Sequence, residues 1–310
     1  MSKNDRSVSY LYGTASGRAV LKILMKAHLD KLAVGYLRSA LSRPVIKSFA
    51  RKNGIVLTED QLKGFRTYRD FFLRDKADGI RVDMEPTHLI SPCDSWLSVF
   101  KVQEDSTFEI KGSRYKLEDL FGSDLEPSGR GAAGAAALHP GSADSDPATD
   151  GSPVAGSFAD LAGRFSGGDC LIFRLCADDY HHYCYIDDAQ IGRNHYIEGR
   201  LHSVQPIACE TYKVYTLNRR SWCLMETLNF GPVVQTEVGA LVVGGIVNHH
   251  ENCRVSRGDE KGFFDLAGST IAMFFEKDRI TLDPWIREAL QGAPEVRVSL
   301  GMKIGTTYER

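Results

Sequence analysis

From Thr87 onward the sequence breaks into short alternating or apolar runs, among them "HLISPCDSWLSVFKV", "TFEIKGSRYKL", "CLIFRLC", "HYCYID", "YKVYTL", "PVVQTEVGALVVGGIV" and "STIAMFF", divided by turn-forming residues. Runs of this length, rich in β-branched and aromatic side chains, are predicted strands, and the turns between them predict a mainly antiparallel arrangement. The texture before Thr87 differs. From Gly17 to about Arg51, Val20, Leu21, Leu24, Leu32, Leu37, Leu41, Val45, Ile46 and Phe49 recur at spacings of three and four, which predicts two or three short amphipathic helices. A further helix is expected over Thr58 to Arg74, capped by Thr58, with Phe65, Tyr68, Phe71 and Phe72 as a core-facing stripe. The fold class expected is α+β: N-terminal amphipathic helices (1–75) followed by a mainly antiparallel β domain (76–310).

One stretch interrupts the β pattern. Residues 122–168 are dominated by Gly, Ala, Ser, Asp and Pro, which bury too little apolar surface to order a chain, so a flexible insertion is expected there. A short helix is predicted inside it, around Phe158 to Phe165.

Charge narrows the function classes. The formal net charge of -2 over 310 residues argues against a nucleic-acid binder, which would carry a strongly basic domain or stripe. The balance is uneven, because residues 1–52 hold Lys3, Arg6, Arg18, Lys22, Lys26, Lys31, Arg38, Arg43, Lys47, Arg51 and Lys52 against only Asp5 and Asp30. A basic amphipathic helix gains roughly 1 kcal/mol per Lys or Arg near anionic lipid, so this arm reads either as a membrane-surface contact or as a helical cap packed on the core. No apolar run is long enough for a membrane span, and "MSKNDRSVSYLYG" lacks the apolar stretch of a signal peptide. The expectation is a cytoplasmic chain, peripheral to the inner face of a membrane. Seven cysteines without a C-x-x-C pair suggest neither a zinc ribbon nor a disulfide framework.

Four segments carry chemistry: "SPCDSW" (91–96), "DDYHHYCYID" (178–187), "EGRLHSVQPIA" (198–208) and "DEKGFFDLAGSTIAMFF" (259–275). On its own, Ala-Gly-Ser-Thr reads as a tight turn between strands. In this order, and together with "FFLRDKADGIR" (71–81) and "NFGPVVQTEVGALVVGGI" (229–246), the segments resemble the phosphatidylserine decarboxylase family of pyruvoyl enzymes from about Leu11 to Phe275.

That resemblance implies a self-processing proenzyme. Ser269 would attack the Gly268 carbonyl, turning the amide into an ester. β-Elimination and hydrolysis would then leave a large chain ending at Gly268 and a small chain, 269–310, bearing a pyruvoyl group made from Ser269. Glycine exposes its carbonyl without a Cβ in the way, and only Ser, Thr or Cys could supply the nucleophile. The covalent pyruvoyl group would be the sole cofactor, with no metal. Phosphatidylserine in an anionic membrane would be the substrate, the two chains would stay associated, and a homo-oligomer is left open.

The resemblance also assigns roles. Asp94 would orient the base for cleavage, and His181 would serve decarboxylation and proton transfer. Two departures stand out. Ser95 replaces a glycine after the Asp, and Cys184 occupies the place of the second His in D-Y-H-x-x-H. A thiolate beside a carboxylate is repelled, so another imidazole should act as processing base: His202 first, then His182 and His195. The pair His249–His250 is assigned to a loop without a metal role. Two other readings remain: the same machinery acting on a soluble amino acid, and an uncleaved paralogue acting as a binding protein.

Overall fold

The computed structural model describes residues 9–26, 29–76, 79–110, 113–122, 157–200, 202–204, 206–240, 245–266 and 269–308. Helices come first: α1 (Ala15–Lys26), α2 (Leu29–Leu37), α3 (Arg43–Lys52), α4 (Glu59–Gly64) and α5 (Tyr68–Phe72). The single helix expected over Thr58 to Arg74 is two. Thr58 does cap α4 through a capping box with Gln61, but a second box, Thr67 with Asp70, restarts the chain as α5 after a break at Phe65. Each box satisfies N–H groups that would otherwise be orphaned, so two short helices replace one long one.

The strands follow in chain order: β1 (His88–Ile90), β2 (Ser95–Lys101), β3 (Thr107–Ile110), β4 (Ser113–Lys116), β5 (Asp169–Leu175), β6 (His182–Cys184), β7 (Ala189–Ile191), β8 (His195–Ile197) and β9 (Arg220–Thr227). After them come β10 (Gly231–Gly239), β11 (Gly245–Asn248), β12 (Arg254–Val255), β13 (Glu260–Asp265), β14 (Ser269–Phe275), β15 (Ile280–Leu282), β16 (Val296–Val298) and β17 (Lys303–Thr307). A central sheet runs β12-β7-β9-β10-β14-β5-β2-β16, with β8 also on β9. Smaller sheets, β11-β13-β6 and β1-β17-β15, and the hairpin β3-β4 complete the set, and the strand pairs are antiparallel as expected.

The run "STIAMFF" is continuous rather than alternating because β14 is buried on both faces. Ile271, Met273 and Phe275 enter one core with Phe173, Tyr183 and Cys184, whereas Ala272 and Phe274 enter another with Tyr12, Tyr115 and Trp222. Burial of each large side chain contributes roughly 1.5–3 kcal/mol. A third cluster joins Ile46, Tyr68, Phe71 and Phe72 of the helices to Leu266, which follows β13. The N-terminal helices therefore pack on the β-rich part.

Most of the expected insertion, 123–156, lies outside the described residues. Its far end is part of the fold: a helix at Phe158–Arg164, capped by Ser157, buries Leu161 and Ala162, and Phe165 is fully buried.

Candidate active site

Ser269 is the first residue of β14 and is fully buried. It pairs with Gly239 on β10 and with Leu175 on β5, so its backbone is held from both sides. Its hydroxyl has no hydrogen-bond partner among the described residues. A dry, unpartnered hydroxyl is costly unless it has a task. Gly268 and Ala267 lie outside the described residues.

The row through Ser269 locates Asp94. Ser95 starts β2 one residue before the Trp96–Arg174 pair, and it faces Val298 on its other side. Neighbouring strands lie about 4.8 Å apart, which puts Ser95 two strands, or roughly 10 Å, from Ser269. Asp94 thus stands at the same end of the sheet. Its Oδ1 accepts hydrogen bonds from Lys76 Nζ at 2.8 Å and from the Leu300 amide at 2.8 Å. Those two donors also line a cavity of about 260 Å³ with Gly79, Arg81, Ser299 and Met302. The mouth therefore carries two cationic side chains beside a buried carboxylate.

His181 approaches from the loop after β5. Its ring lies on Phe72 with centroids 4.1 Å apart, and its carbonyl accepts the Phe264 amide. Nδ1 lies 2.9 Å from the Asp179 carbonyl. A carbonyl only accepts, so Nδ1 carries the proton and Nε2 presents a lone pair. Nε2 is buried and has no partner among the described residues. Desolvation lowers the His181 pKa to about 3, so the imidazole is neutral.

Cys184, at the end of β6, is buried, and its amide donates to the Pro92 carbonyl beside Asp94. Burial pushes its thiol up to about 12, so it remains protonated and is no base.

The expected pairing of His202 with Asp94 is not formed. His202 is buried with its ring stacked on Tyr212 at 4.5 Å and edge-on to Tyr12, and neither ring nitrogen has a partner among the described residues. Tyr12 belongs to the core on the Ala272 and Phe274 face, whereas alternation points Ser269 to the other face, with Ile271 and Met273. What ties His202 to this end of the sheet is Asn218, whose Nδ2 donates to the carbonyls of both His202 and Gly239. Desolvation lowers the His202 pKa to about 4. His195 lies flat on Trp222 at 3.9 Å, and His182 stacks on Tyr180 at 4.6 Å with Glu260 close by. His249 also meets Glu260, at 2.8 Å. No cluster of three or more His, Cys, Asp or Glu among the described residues could hold a metal ion.

Three features escaped the sequence reading. Lys76 on Asp94 is the first. The second is a buried ion pair, Lys261 Nζ to Glu237 Oε1 at 2.8 Å, joined by Asn248 and Gln235. Charges inside the apolar runs "PVVQTEVGALVV" and "EKGFF" were the available signal, since strand-interior charges survive burial only when paired. The third is Leu266, a non-glycine residue at φ 68° three positions before Ser269. Left-handed backbone costs such a residue about 1–2 kcal/mol.

Buried neutral imidazoles make stability depend on pH. The unfolded chain takes up protons below about pH 6.5, whereas folded His181 resists protonation down to about 3, and His195 and His202 down to about 4. Stability is thus full above about 6.5 and falls as pH drops below it, by up to roughly 1.4 kcal/mol per unit for His181. Urea midpoints at pH 7.5, 6.0 and 5.0 are expected to decrease in that order. A midpoint that is flat or rises toward pH 5.0 would contradict the buried neutral histidines.

Fold and site together define an α+β protein with a buried candidate nucleophile at a strand start, a cation-bound carboxylate at the same end of the sheet, and a buried neutral imidazole on the loop after β5. The family model for phosphatidylserine decarboxylase matches residues 68–306, and the chain belongs to that family. It is 35% identical over 304 residues to phosphatidylserine decarboxylase proenzyme 2 of Clostridium acetobutylicum, covering 97% of this chain and 92% of the relative. The phosphatidylserine decarboxylase proenzyme of Desulfitobacterium hafniense is 30% identical over 313 residues, with 99% and 93% covered, and that of Clostridium perfringens is 31% identical over 305 residues, with 96% and 92% covered.

Proposed function

We propose that the chain is a self-processing, pyruvoyl-dependent decarboxylase that converts phosphatidylserine to phosphatidylethanolamine at a membrane surface. The observation that carries this reading is Ser269: a fully buried serine with an unpartnered hydroxyl, at the strand start where the family resemblance puts the cleavage. Ser269 attacks the Gly268 carbonyl, and Nε2 of a neutral imidazole accepts the hydroxyl proton. His181 suits that task in tautomer, with a buried and unpartnered Nε2 among the described residues, whereas the His202 ring packs on Tyr12 of the core on the opposite face of β14. Asp94 stands at the same end of the sheet, with its charge held by Lys76 and the Leu300 amide.

The group made from Ser269 would supply an electron sink for the pair left behind when CO2 departs, as pyridoxal does elsewhere. Its seat fits, because the backbone of residue 269 is held by strands on both sides in a dry setting. His181 lends itself to proton delivery, and Lys76 and Arg81 at the cavity mouth suit an anionic head group.

Association of the two product chains follows from the sheet. β14 lies between β10 and β5, paired along its whole length on each side, and β17 lies between β1 and β15, so the small chain would remain built into the large one. Peripheral contact with an anionic membrane has its own support. Leu32 and Leu41 of the basic helical region are 69% and 76% exposed, and no helix among the described residues is long and apolar enough to cross a membrane.

The test supplies phosphatidylserine vesicles and free serine side by side to purified protein. CO2 release from the vesicles is expected. Release from free serine alone would favour the soluble-substrate reading, and a chain that stays whole and releases none would favour the binding-protein reading.

A further inference from the structure

Two neighbouring residues just upstream of Ser269 are gripped by the N-terminal helices. Asp265, the last residue of β13, is almost fully buried, and its two oxygens are taken separately: Oδ2 by Arg38 at 2.5 Å and Oδ1 by Arg69 at 2.7 Å. Arg38 follows α2 and Arg69 lies in α5, so the ion pairs span 227 and 196 residues of sequence. Leu266 comes next. Its backbone is left-handed, and its side chain is fully buried in the helical cluster with Ile46, Tyr68, Phe71 and Phe72. A leucine keeps such a backbone only where the surroundings over-determine it. Here a charge anchor and an apolar anchor, both from the same helices, do so.

We propose that the N-terminal helical region is a clamp on the self-cleavage segment, with Arg38, Arg69 and the pocket for Leu266 as positioning elements. This rests on the self-processing reading above. Between Leu266 and Ser269 lie only two residues, one of them contributing the carbonyl to be attacked. Ser269 is fixed in the sheet by β10 and β5. Holding Leu266 from the other side restricts where that carbonyl can sit relative to the hydroxyl, and reaction rates depend steeply on such placement. The same five-residue helix, α5, also carries Phe72 under the His181 ring, so one element registers both the electrophile's segment and an imidazole. The basic character of the helical region then has a second use besides lipid contact, since two of its arginines are committed to Asp265.

The experiment follows conversion of newly synthesised full-length chain into two fragments on denaturing gels, for wild type and variants in parallel. The double variant Arg38→Ala/Arg69→Ala is expected to process at least tenfold more slowly. Arg38→Lys/Arg69→Lys should recover most of the rate, because each arginine donates to a separate oxygen and a point charge can replace it. Leu266→Gly separates anchor from conformation. Glycine takes φ 68° without strain but leaves the pocket empty, so the clamp requires slower processing, whereas equal or faster processing would overturn it. If the double variant is insoluble, Asp265→Asn keeps the shape and removes the charge, and it should also slow the reaction. Wild-type rates in both Arg38→Ala/Arg69→Ala and Asp265→Asn, beside a wild-type chain that cleaves, overturn the clamp alone. A wild-type chain that stays whole overturns the self-processing reading and the clamp with it.

Discussion

Ser269→Ala is expected to leave the chain whole and without decarboxylase activity, because it removes at once the nucleophile of cleavage and the source of the pyruvoyl group. The fold should survive the change. The hydroxyl has no partner among the described residues, so its removal forfeits no hydrogen bond there and relieves a buried polar atom of its desolvation cost. Thermal midpoint and far-UV spectrum are therefore expected to match or exceed those of a wild-type chain kept from processing. Intact mass is the direct check. Wild type should yield a small fragment beginning at position 269 that is lighter than a serine terminus by about one ammonia, and Ser269→Cys should cleave partly, through a thioester. Fragments from Ser269→Ala would refute Ser269 as nucleophile.

Changing His181 to Phe should slow processing by roughly 10²- to 10⁴-fold, the range that a positioned proton acceptor supplies. Phenylalanine keeps a ring against Phe72 and deletes only Nε2 and the Nδ1 bond to Asp179. The companion variant His202→Phe keeps the stack on Tyr212 and is expected to process within a few-fold of wild type. Both imidazoles are dry and neutral, so processing should also lack a pH step near 6.5 and hold its rate across pH 5.5 to 8. That departs from the expectation of a base charged beside Asp94, which would have titrated at or above 6.5. Normal cleavage by His181→Phe together with failure of His202→Phe would reverse the assignment and restore His202.

Much of the fold was legible. The shift of texture near Thr87 marks where helices give way to strands, and turn residues between short runs sufficed for antiparallel pairing. Capping residues are legible one at a time: Thr58 announces its helix, but the box of Thr67 with Asp70 is hidden by a stripe of aromatics that continues through the break. At the site, the local words "SPCD", "DYHHYC" and "AGST" pointed to Asp94, His181, Cys184 and Ser269, since each word holds its chemistry within a few residues. His202 is indicated only by residue type and by its place on the adjoining segment "RLHSVQP". The face on which a histidine lies is decided by neighbours distant in sequence, here Tyr12 and Tyr212.

What the sequence by itself determined is the family, the candidate nucleophile and the order of elements, because these are written in contiguous segments whose chemistry depends on near neighbours. Tertiary structure alone decided which side chains meet. Lys76 reaches Asp94 across 18 residues, Lys261 and Glu237 cross 24, and Arg38 and Asp265 cross 227. No periodicity or motif encodes such pairings, because a charge-bearing side chain finds its counter-charge wherever packing leaves one unpaired. The left-handed backbone at Leu266 belongs to the same class, since a leucine in isolation would not adopt it and only the pocket made by Ile46, Tyr68, Phe71 and Phe72 holds it there.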